Sequence, residues 1–437
     1  MTDLLQRFAN VRRSEVPALL ASVTFFFCVL TAIQMLRPAR EALGMQSGLD
    51  TVRLLFIGTA VATLAVTPVF GKLVGIFRRM TFIAITYVFF SASLVGFWAL
   101  LTFAPEATGQ LSGRIFYVWF SVFNLFCTMV FWALMVDRFS LEQSKRLFGI
   151  IAVGGTLGAI FGPAFAWANV GRIGTPTLIL VAVAFLLLAV GAAWLVARLQ
   201  PHRLSEVDSQ GREASPVVDE KDVIGGSMWE GFRSVIRSRY LLGICASVLI
   251  MAVMATFIYF TRLAMVAAMT EVTDERTGIF AMIDTLTQVL TFFFQLLLTG
   301  HIMKRLGVGF AMALLPVTVS LGFIGLAVTG SFAALVILEM AYRAVERGIT
   351  RPARETLFTV VGREDKYKSK AVIDTFVYRT GDVTGAWTEG LLGRLGGGIA
   401  ALTALVIPVA VVWTVLSVWL AREQGRIAQR QAAGGTG

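Results

Sequence analysis

The chain has 437 residues, of which 57% are apolar and 15% charged, with a formal net charge of +11. Soluble domains are about 45–50% apolar and about 25% charged, so this balance argues against a soluble multidomain enzyme. The positive charge raises nucleic-acid binding as an alternative, and the placement of the basic residues decides it.

The apolar residues gather into runs of bilayer length, because about 20 residues rising 1.5 Å each cross a hydrocarbon core of about 30 Å. In chain order the predicted spans are 17–36, 54–76, 80–103, 114–136, 147–169, 175–197, 240–262, 278–302, 308–329, 331–350, 371–394 and 398–420. The first begins at Pro17, a residue tolerated at helix starts. It is too long for a signal-peptide core and no small-residue cleavage site follows it, so it reads as an uncleaved span. The expected fold is an all-α integral membrane protein of about twelve spans. Cys28, Cys127 and Cys245 lie inside spans without paired spacing and read as packing residues. His202 and His301 lack metal-ligand spacing, and no G-x4-G-K-S/T phosphate loop is present. No catalytic residue, metal or cofactor is expected, and the chain is not read as an enzyme.

With the amino terminus in the cytoplasm, 29 of the 38 basic residues fall on cytoplasmic segments and 8 on the other side, with Arg379 inside a span. That is the positive-inside pattern, which accounts for the charge without nucleic acid. It predicts a multi-pass protein of a bacterial-type inner (cytoplasmic) membrane with both termini cytoplasmic.

One long polar interruption, residues 200–228, separates six spans from six. It runs from Pro201 through Ser205-Glu206-Val207-Asp208-Ser209 to Gly225-Gly226-Ser227 and reads as a linker. After it, Trp229, Phe232, Val235 and Ile236 alternate with Arg233, Arg237 and Arg239, the pattern of an amphipathic helix at a membrane surface. The expected organisation is a six-helix bundle over 1–199, a cytoplasmic linker with this helix over 200–239, and a second bundle with a short tail over 240–437. This plan resembles the major facilitator superfamily, whose two parallel halves rock about a substrate site near the midplane. Shifting the sequence by 225 residues lays Thr31 on Thr256 and Arg37 on Arg262, so the first span of each half is expected to end in an arginine. In the fifth span, Gly149, Gly158, Gly162 and Pro163 resemble the start of the glycine motif of facilitator antiporters, with Ala166 and Trp167 at its terminal glycines. Gly154, Gly158 and Gly162 recur every four residues and clear one face for a neighbouring helix, which is the plainer reading.

A charge at the centre of a bilayer costs about 2.5–3.5 kcal/mol on insertion scales, so charges inside spans need a partner or a wet cavity. Arg37, Arg40 and Glu41 share a face at the end of the first span if the helix continues through Pro38. Two readings stand side by side for them: snorkelling to headgroups, and an anion-binding mouth. In the tenth span Glu339, Arg343 and Arg347 repeat every four residues. Arginines in such a stripe can hold phosphate or carboxylate bidentately, while Glu339 and Arg343 can equally pair with each other. The eleventh span places Asp374, Tyr378 and Asp382 at i, i+4 and i+8 with Arg379 alongside, a set suited to gating ion pairs. The eighth adds Asp284, Gln288 and Gln295 within about 40° of one helical face, and Asp284 suits proton coupling or a structural hydrogen bond. The fourth carries Tyr117, Trp119, Asn124 and Trp132 and exits at Asp137-Arg138; its aromatics could stack on a planar ligand but read more simply as belt or packing residues.

Three stretches resemble the bacterial and plastid ATP/ADP translocase family. Met35-Leu36-Arg37-Pro38-Ala39-Arg40-Glu41-Ala42-Leu43 is similar to that family's leucine-arginine-x-x-lysine-aspartate-threonine-leucine, with Arg40 at the functional lysine and Glu41 at the aspartate. Phe131-Trp132 with Asp137 and Lys145-Arg146-Leu147-Phe148 is similar to a second stretch, and Lys368-Ser369-Lys370-Ala371-Val372-Ile373-Asp374 with Arg379 and Gly381 resembles the eleventh-span signature. The resemblance implies NTP/NDP antiport. Asp382 stands where the family carries a cation, a reversed charge that points toward another anion.

The leading expectation is therefore alternating-access transport of a small anionic, nucleotide-like or phosphorylated metabolite. Arg37, Arg40, Glu41, Asn124, Arg262 and Arg343 are its substrate-binding candidates. Asp137, Asp284, Glu339, Asp374, Tyr378, Arg379 and Asp382 are the candidates for gating or coupling. Proton-coupled transport of an unrelated solute or lipid, and a non-transporting scaffold or sensor, are the competing readings. The expected partners are the solute and the lipid bilayer, with no nucleic acid, and a monomer is compatible with the sequence.

Overall fold

The structure, a computed structural model, describes residues 11–76, 79–200 and 228–434. The predicted linker segment 201–227, with His202, and both chain ends lie outside the described residues. Among the described residues every regular element is helical.

After a 3-10 turn, Arg13–Glu15, five α-helical elements precede the linker: α1 (Val16–Met45), α2 (Leu49–Ile76), α3 (Arg79–Phe103), α4 (Pro105–Arg138) and the long element Leu141–Leu199. The long element turns at Gly174, whose φ of 77° lies in the left-handed region that glycine tolerates. Pro176 lies two residues further on and lacks a backbone donor, so α5 (141–173) ends and α6 (175–199) begins there. The start of α5 is set by a capping box: Ser140 accepts from the Gln143 amide at 3.2 Å, and the Gln143 side chain accepts from the Ser140 amide at 3.0 Å.

After the linker come α7 (Met228–Arg237) and α8 (Arg239–Met269). Next, α9 starts as Thr273–Phe293, passes through a π-helical turn, Phe294–Leu298, and gives way at Gly307 (φ 76°) to α10 (308–329). Then α11 (Phe332–Val345) continues through a second π turn, Glu346–Thr350, into Arg351–Leu357. A third π turn, Ile373–Val377, joins the two parts of α12, Arg363–Val372 and Tyr378–Arg394; α13 is Gly398–Gly434. Twelve of these helices match the twelve predicted spans, and α7 is the predicted amphipathic helix: Val235 is buried while Arg233, Ile236 and Arg237 are exposed.

Nine helices among the described residues are long and apolar enough to cross a membrane, one of which covers both α5 and α6. The two spans that fall outside that set are α11 and α12, which π turns cut into short pieces: Phe332–Val345 of 14 residues in α11, and Arg363–Val372 of 10 and Tyr378–Arg394 of 17 in α12. All three π turns lie in α9, α11 and α12, the polar helices of the later part of the chain. Such turns insert one residue into the helical ladder and re-aim the side chains around them.

The chain divides into two compact units, Met1–Val218 with Met269–Thr285, and Asp219–Ala268 with Leu286–Gly437. The head of α9, residues 273–285, therefore packs with α1–α6. In the first unit, α5 lies directly on α1. A Cβ at Gly154 would come within 2.5 Å of the Val23 carbonyl oxygen, and one at Gly162 within 2.5 Å of the Thr31 carbonyl oxygen, so the glycine stripe is where two backbones meet. In the second unit, α12 lies on α8 in the same way: a Cβ at Gly381 would meet the Leu249 carbonyl oxygen at 2.9 Å, and one at Gly385 the Val253 carbonyl oxygen at 3.1 Å. Both units thus use glycines on a later helix to approach carbonyls of an earlier one, α5 on α1 and α12 on α8.

Around this contact the first unit is filled with aromatics. Phe26 stacks on Phe131 at 4.1 Å between ring centres, and Trp119 stacks on Phe123 at 5.1 Å. Most of the α4 aromatics are thus packing residues. Two expected helix ends are corrected here. α1 runs to Met45 and α8 to Met269, so Arg37 and Arg262 lie inside their helices and do not end them. In α1 the helix continues through Pro38, and in α8 the apolar run itself goes on past Arg262 from Leu263 to Met269.

Candidate functional site

The polar centre of the first unit is built on α1. Because the helix continues through Pro38, Arg37, Arg40 and Glu41 project within one turn of each other. The Arg40 side chain is only 16% exposed and its Nη1 lies 3.2 Å from Oε1 of Glu41, which is almost wholly buried. Its Nε donates to the Tyr117 carbonyl at 3.3 Å, and its guanidinium lies 3.7 Å from the centre of the Tyr117 ring and 5.6 Å from that of Phe120. This is a cation–π seat, strengthened by the exclusion of water. Gly44 makes room for it, since a Cβ there would come 2.5 Å from Cδ2 of Tyr117. Arg37, 20% exposed, pairs with buried Asp284 of α9 at 3.8 Å. Two guanidinium groups enclosed to this degree are not snorkelling to headgroups, so that reading falls.

The head of α9 is fastened to the same unit by further bonds. Asp274 accepts from the Thr175 amide at 2.8 Å, and the Thr175 hydroxyl donates to that of Thr277 at 2.9 Å. Gln46 at the end of α1 donates to the Thr273 hydroxyl at 2.9 Å. A second cluster sits where α1 begins. Glu15, 4% exposed, receives both terminal nitrogens of Arg146 at 3.0 and 3.2 Å and the Gln143 side chain at 3.1 Å. Asn124 is exposed on α4, and Asp137 is half-buried near its end. Arg138 donates to the Ala197 and Gln200 carbonyls and so caps α6.

The polar centre of the second unit lies between α8 and α11. Oε1 of Glu339 accepts from Nη1 of Arg262 at 3.0 Å and Nε of Arg343 at 2.9 Å. Arg262 is 0% and Glu339 1% exposed, whereas the Arg343 side chain is 18% exposed. One buried carboxylate thus holds two arginines, and its other oxygen, Oε2, has no hydrogen-bond partner among the described residues. Arg347 donates to Gln288 of α9 at 2.8 Å.

On α12 the predicted set Asp374, Tyr378, Arg379 and Asp382 is divided between two groups of partners. The π turn Ile373–Val377 adds a residue to the ladder and rotates Asp374 away from Asp382. Asp374 pairs with Arg354 at 3.2 Å. Asp382, 8% exposed, pairs with Arg379 at 3.2 Å and accepts from Thr256 of α8 at 3.5 Å, and Tyr378 is half-buried. The face expected for Asp284, Gln288 and Gln295 is also divided: Asp284 faces Arg37, Gln288 binds Arg347, and Gln295 lies exposed in a π turn.

Sequence reasoning missed Tyr117 as the seat of Arg40, having grouped it with belt aromatics, and it missed Glu15. The signal for Tyr117 was Gly44 on the facing helix, a gap legible only once the pairing of α1 with α4 is known. Glu15 was readable as an acidic residue at a span start beside Arg12 and Arg13, but its partner lies 131 residues away.

Residues 22–350 match the sequence profile of the Major Facilitator Superfamily. The chain is similar to ADP,ATP carrier protein 1 of Chlamydia muridarum, 22% identical over 332 residues that cover 68% of this chain and 61% of that one. It is also similar to ADP,ATP carrier protein 1 of Chlamydia trachomatis, 21% identical over 342 residues, covering 70% and 63%. The chain thus spans about three fifths of the length of the curated relatives it matches. Among solved structures it is similar to a bacterial homologue of the iron transporter ferroportin (TM-score 0.62, 13% identity, covering 94% and 98%). It is similar as well to the POT-family transporter PepTSo (0.61, 11%, 94% and 98%) and the nucleoside transporter NupG (0.59, 13%, 94% and 99%). At these identities the likeness is one of fold.

Proposed function

The chain belongs to the major facilitator superfamily, and from that membership we propose that it is a secondary transporter carrying a small anionic solute, nucleotide-like or phosphorylated, by alternating access. The observation that carries the reading is Arg40 held on the Tyr117 ring. A guanidinium seated on an aromatic ring beside Glu41 presents a planar fork that matches phosphate or carboxylate. Arg37, one turn earlier, supplies a second cation that can exchange Asp284 for solute. The names of the chlamydial relatives support a nucleotide-like anion, and Asp382 is the reason to test phosphorylated metabolites beside nucleotides.

In this proposal the halves 1–199 and 240–437 move about the 200–239 connection, in an inner membrane with both termini cytoplasmic. The head of α9, through Asp274, Thr277 and Asp284, is the part that must leave α1 and α6 for one end to open. Asp382 with Arg379 and Thr256, and Arg343 with Glu339, are the groups that re-pair in the second half. Counterflow in proteoliposomes loaded with labelled nucleotides or phosphorylated metabolites tests the proposal. Saturable exchange of at least one of them, lost in Arg40→Ala, is expected; no exchange of any refutes it.

A second reading, proton coupling, is favoured by one observation, the unbonded Oε2 of buried Glu339. Here uptake driven by a pH gradient would vanish in Glu339→Gln, while pure exchange would not respond to the gradient.

A further inference from the structure

A hollow of about 670 Å³ in the second unit, lined by neither Glu339 nor Asp382, lies between α7, the start of α8, the 358–361 segment, the start of α12 and the tail of α13. Its polar wall carries Arg233 and Arg237 of α7 and Lys368 of α12, with Ser234 beside them and one acid, Asp365. Asp365 accepts a hydrogen bond from the Ser234 hydroxyl at 2.7 Å, which fixes α7 to α12 at that point. Of the lining side chains three are thus cationic and one acidic. Its floor is apolar, from Leu241 and Val360.

The rest of α7 indicates the kind of ligand. Its inner face is anchored by buried Val235 and by Phe232 against the Phe376 ring at 5.5 Å. Its outer face exposes Ile236, 68% accessible, between the two exposed arginines, Arg233 and Arg237. An apolar side chain left outward between cations is the pattern of a helix lying in a membrane interface. The apolar run of α8 begins directly after α7, which sets the hollow at the end of a membrane-spanning helix. A free phosphate would use the cations and leave the apolar floor unused, whereas a phospholipid uses both.

We propose that this hollow binds the headgroup phosphate of an anionic phospholipid, with Arg233, Arg237 and Lys368 around the phosphate and the glycerol and upper acyl carbons over Leu241 and Val360. Basic pockets between membrane helices are a known setting for anionic headgroups, each cation contributing about 1 kcal/mol near the surface. The site is independent of the solute and of the direction of transport.

The test is native mass spectrometry of the full-length, delipidated protein titrated with phosphatidylglycerol or phosphatidylcholine. Phosphatidylglycerol should bind in preference, and the double variant Arg233→Ala with Arg237→Ala should weaken it about 10- to 30-fold, the effect of two cations. Arg430→Ala, which removes a cation outside the hollow, should leave binding unchanged. Asp365→Asn keeps an acceptor for Ser234 but removes the opposing charge, so it should bind phosphatidylglycerol more tightly. A double variant whose thermal unfolding matches that of the wild type but whose lipid binding is unaltered overturns the proposal. So does equal binding of the two lipids, and so does full displacement of phosphatidylglycerol by millimolar inorganic phosphate, which would assign the hollow to a free anion.

Discussion

Arg262 and Arg343 share one carboxylate but not one environment. Arg262 is sealed in the helix interface, and removing it leaves Glu339 without its fully buried partner, a change that costs about 3–5 kcal/mol in comparable buried pairs. Arg262→Met should therefore lower the thermal unfolding midpoint in detergent clearly more than Arg343→Met, whose side chain is partly exposed. Equal losses would show that burial does not separate the two arginines. At Arg40 the chemistry is different. Arg40→Lys keeps the charge and loses both the planar fork and the fit to the Tyr117 ring, so it should raise the half-saturation concentration for counterflow about tenfold while retaining measurable exchange. Arg40→Ala should abolish exchange, and a lysine variant indistinguishable from wild type would remove the ring from the mechanism.

At the scale of helices, close backbone approach organises both units. Side chains can swing aside to admit a new methyl group, but a carbonyl oxygen of a neighbouring helix cannot. Gly162→Val would drive its branches into the Thr31 carbonyl and the Met35 amide, and overpacking of this kind costs about 1–3 kcal/mol. Gly171→Ala on the same helix meets nothing within 4 Å and should cost nothing or slightly stabilise. Unfolding midpoints of the two variants measure the contrast; if both fall alike, helix propensity and not contact governs α5. The π turns matter at this scale too. They explain why α12, read at a uniform period of 3.6, seems to line up Asp374 with Asp382, while the folded helix sends one to Arg354 and the other to Arg379 and Thr256.

At the scale of the molecule, α9 is covalently continuous with the second unit while its head packs with the first. Alternating access through this end would require that head to detach. Thr175 and Thr277 bring their hydroxyls to 2.9 Å in a buried contact, so Thr175→Cys with Thr277→Cys should form a disulfide under mild oxidation. Counterflow should stop on oxidation and return with reductant, and neither single cysteine variant should respond. The native Cys28, Cys127 and Cys245 are buried and give little background. A verified crosslink with undiminished counterflow would exclude detachment of the α9 head as a step in transport.

From the sequence alone came the helical class, the number of spans and the amphipathic α7, because each depends on short-range properties: apolar run length, charge placement and the alternation of apolar and basic residues. The same short-range logic marked Arg37, Arg40, Glu339 and Asp382 as costly in a membrane. Their partners were another matter. Arg262 finds Glu339 across 77 residues, Arg40 finds the Tyr117 ring, and Glu15 finds Arg146, none of which follows from spacing on one helix. Only the tertiary structure decided these pairings, since which faces of two helices meet depends on where small residues let backbones approach and where π turns shift the register. The identity of each helix is local, and the environment of each charge is not.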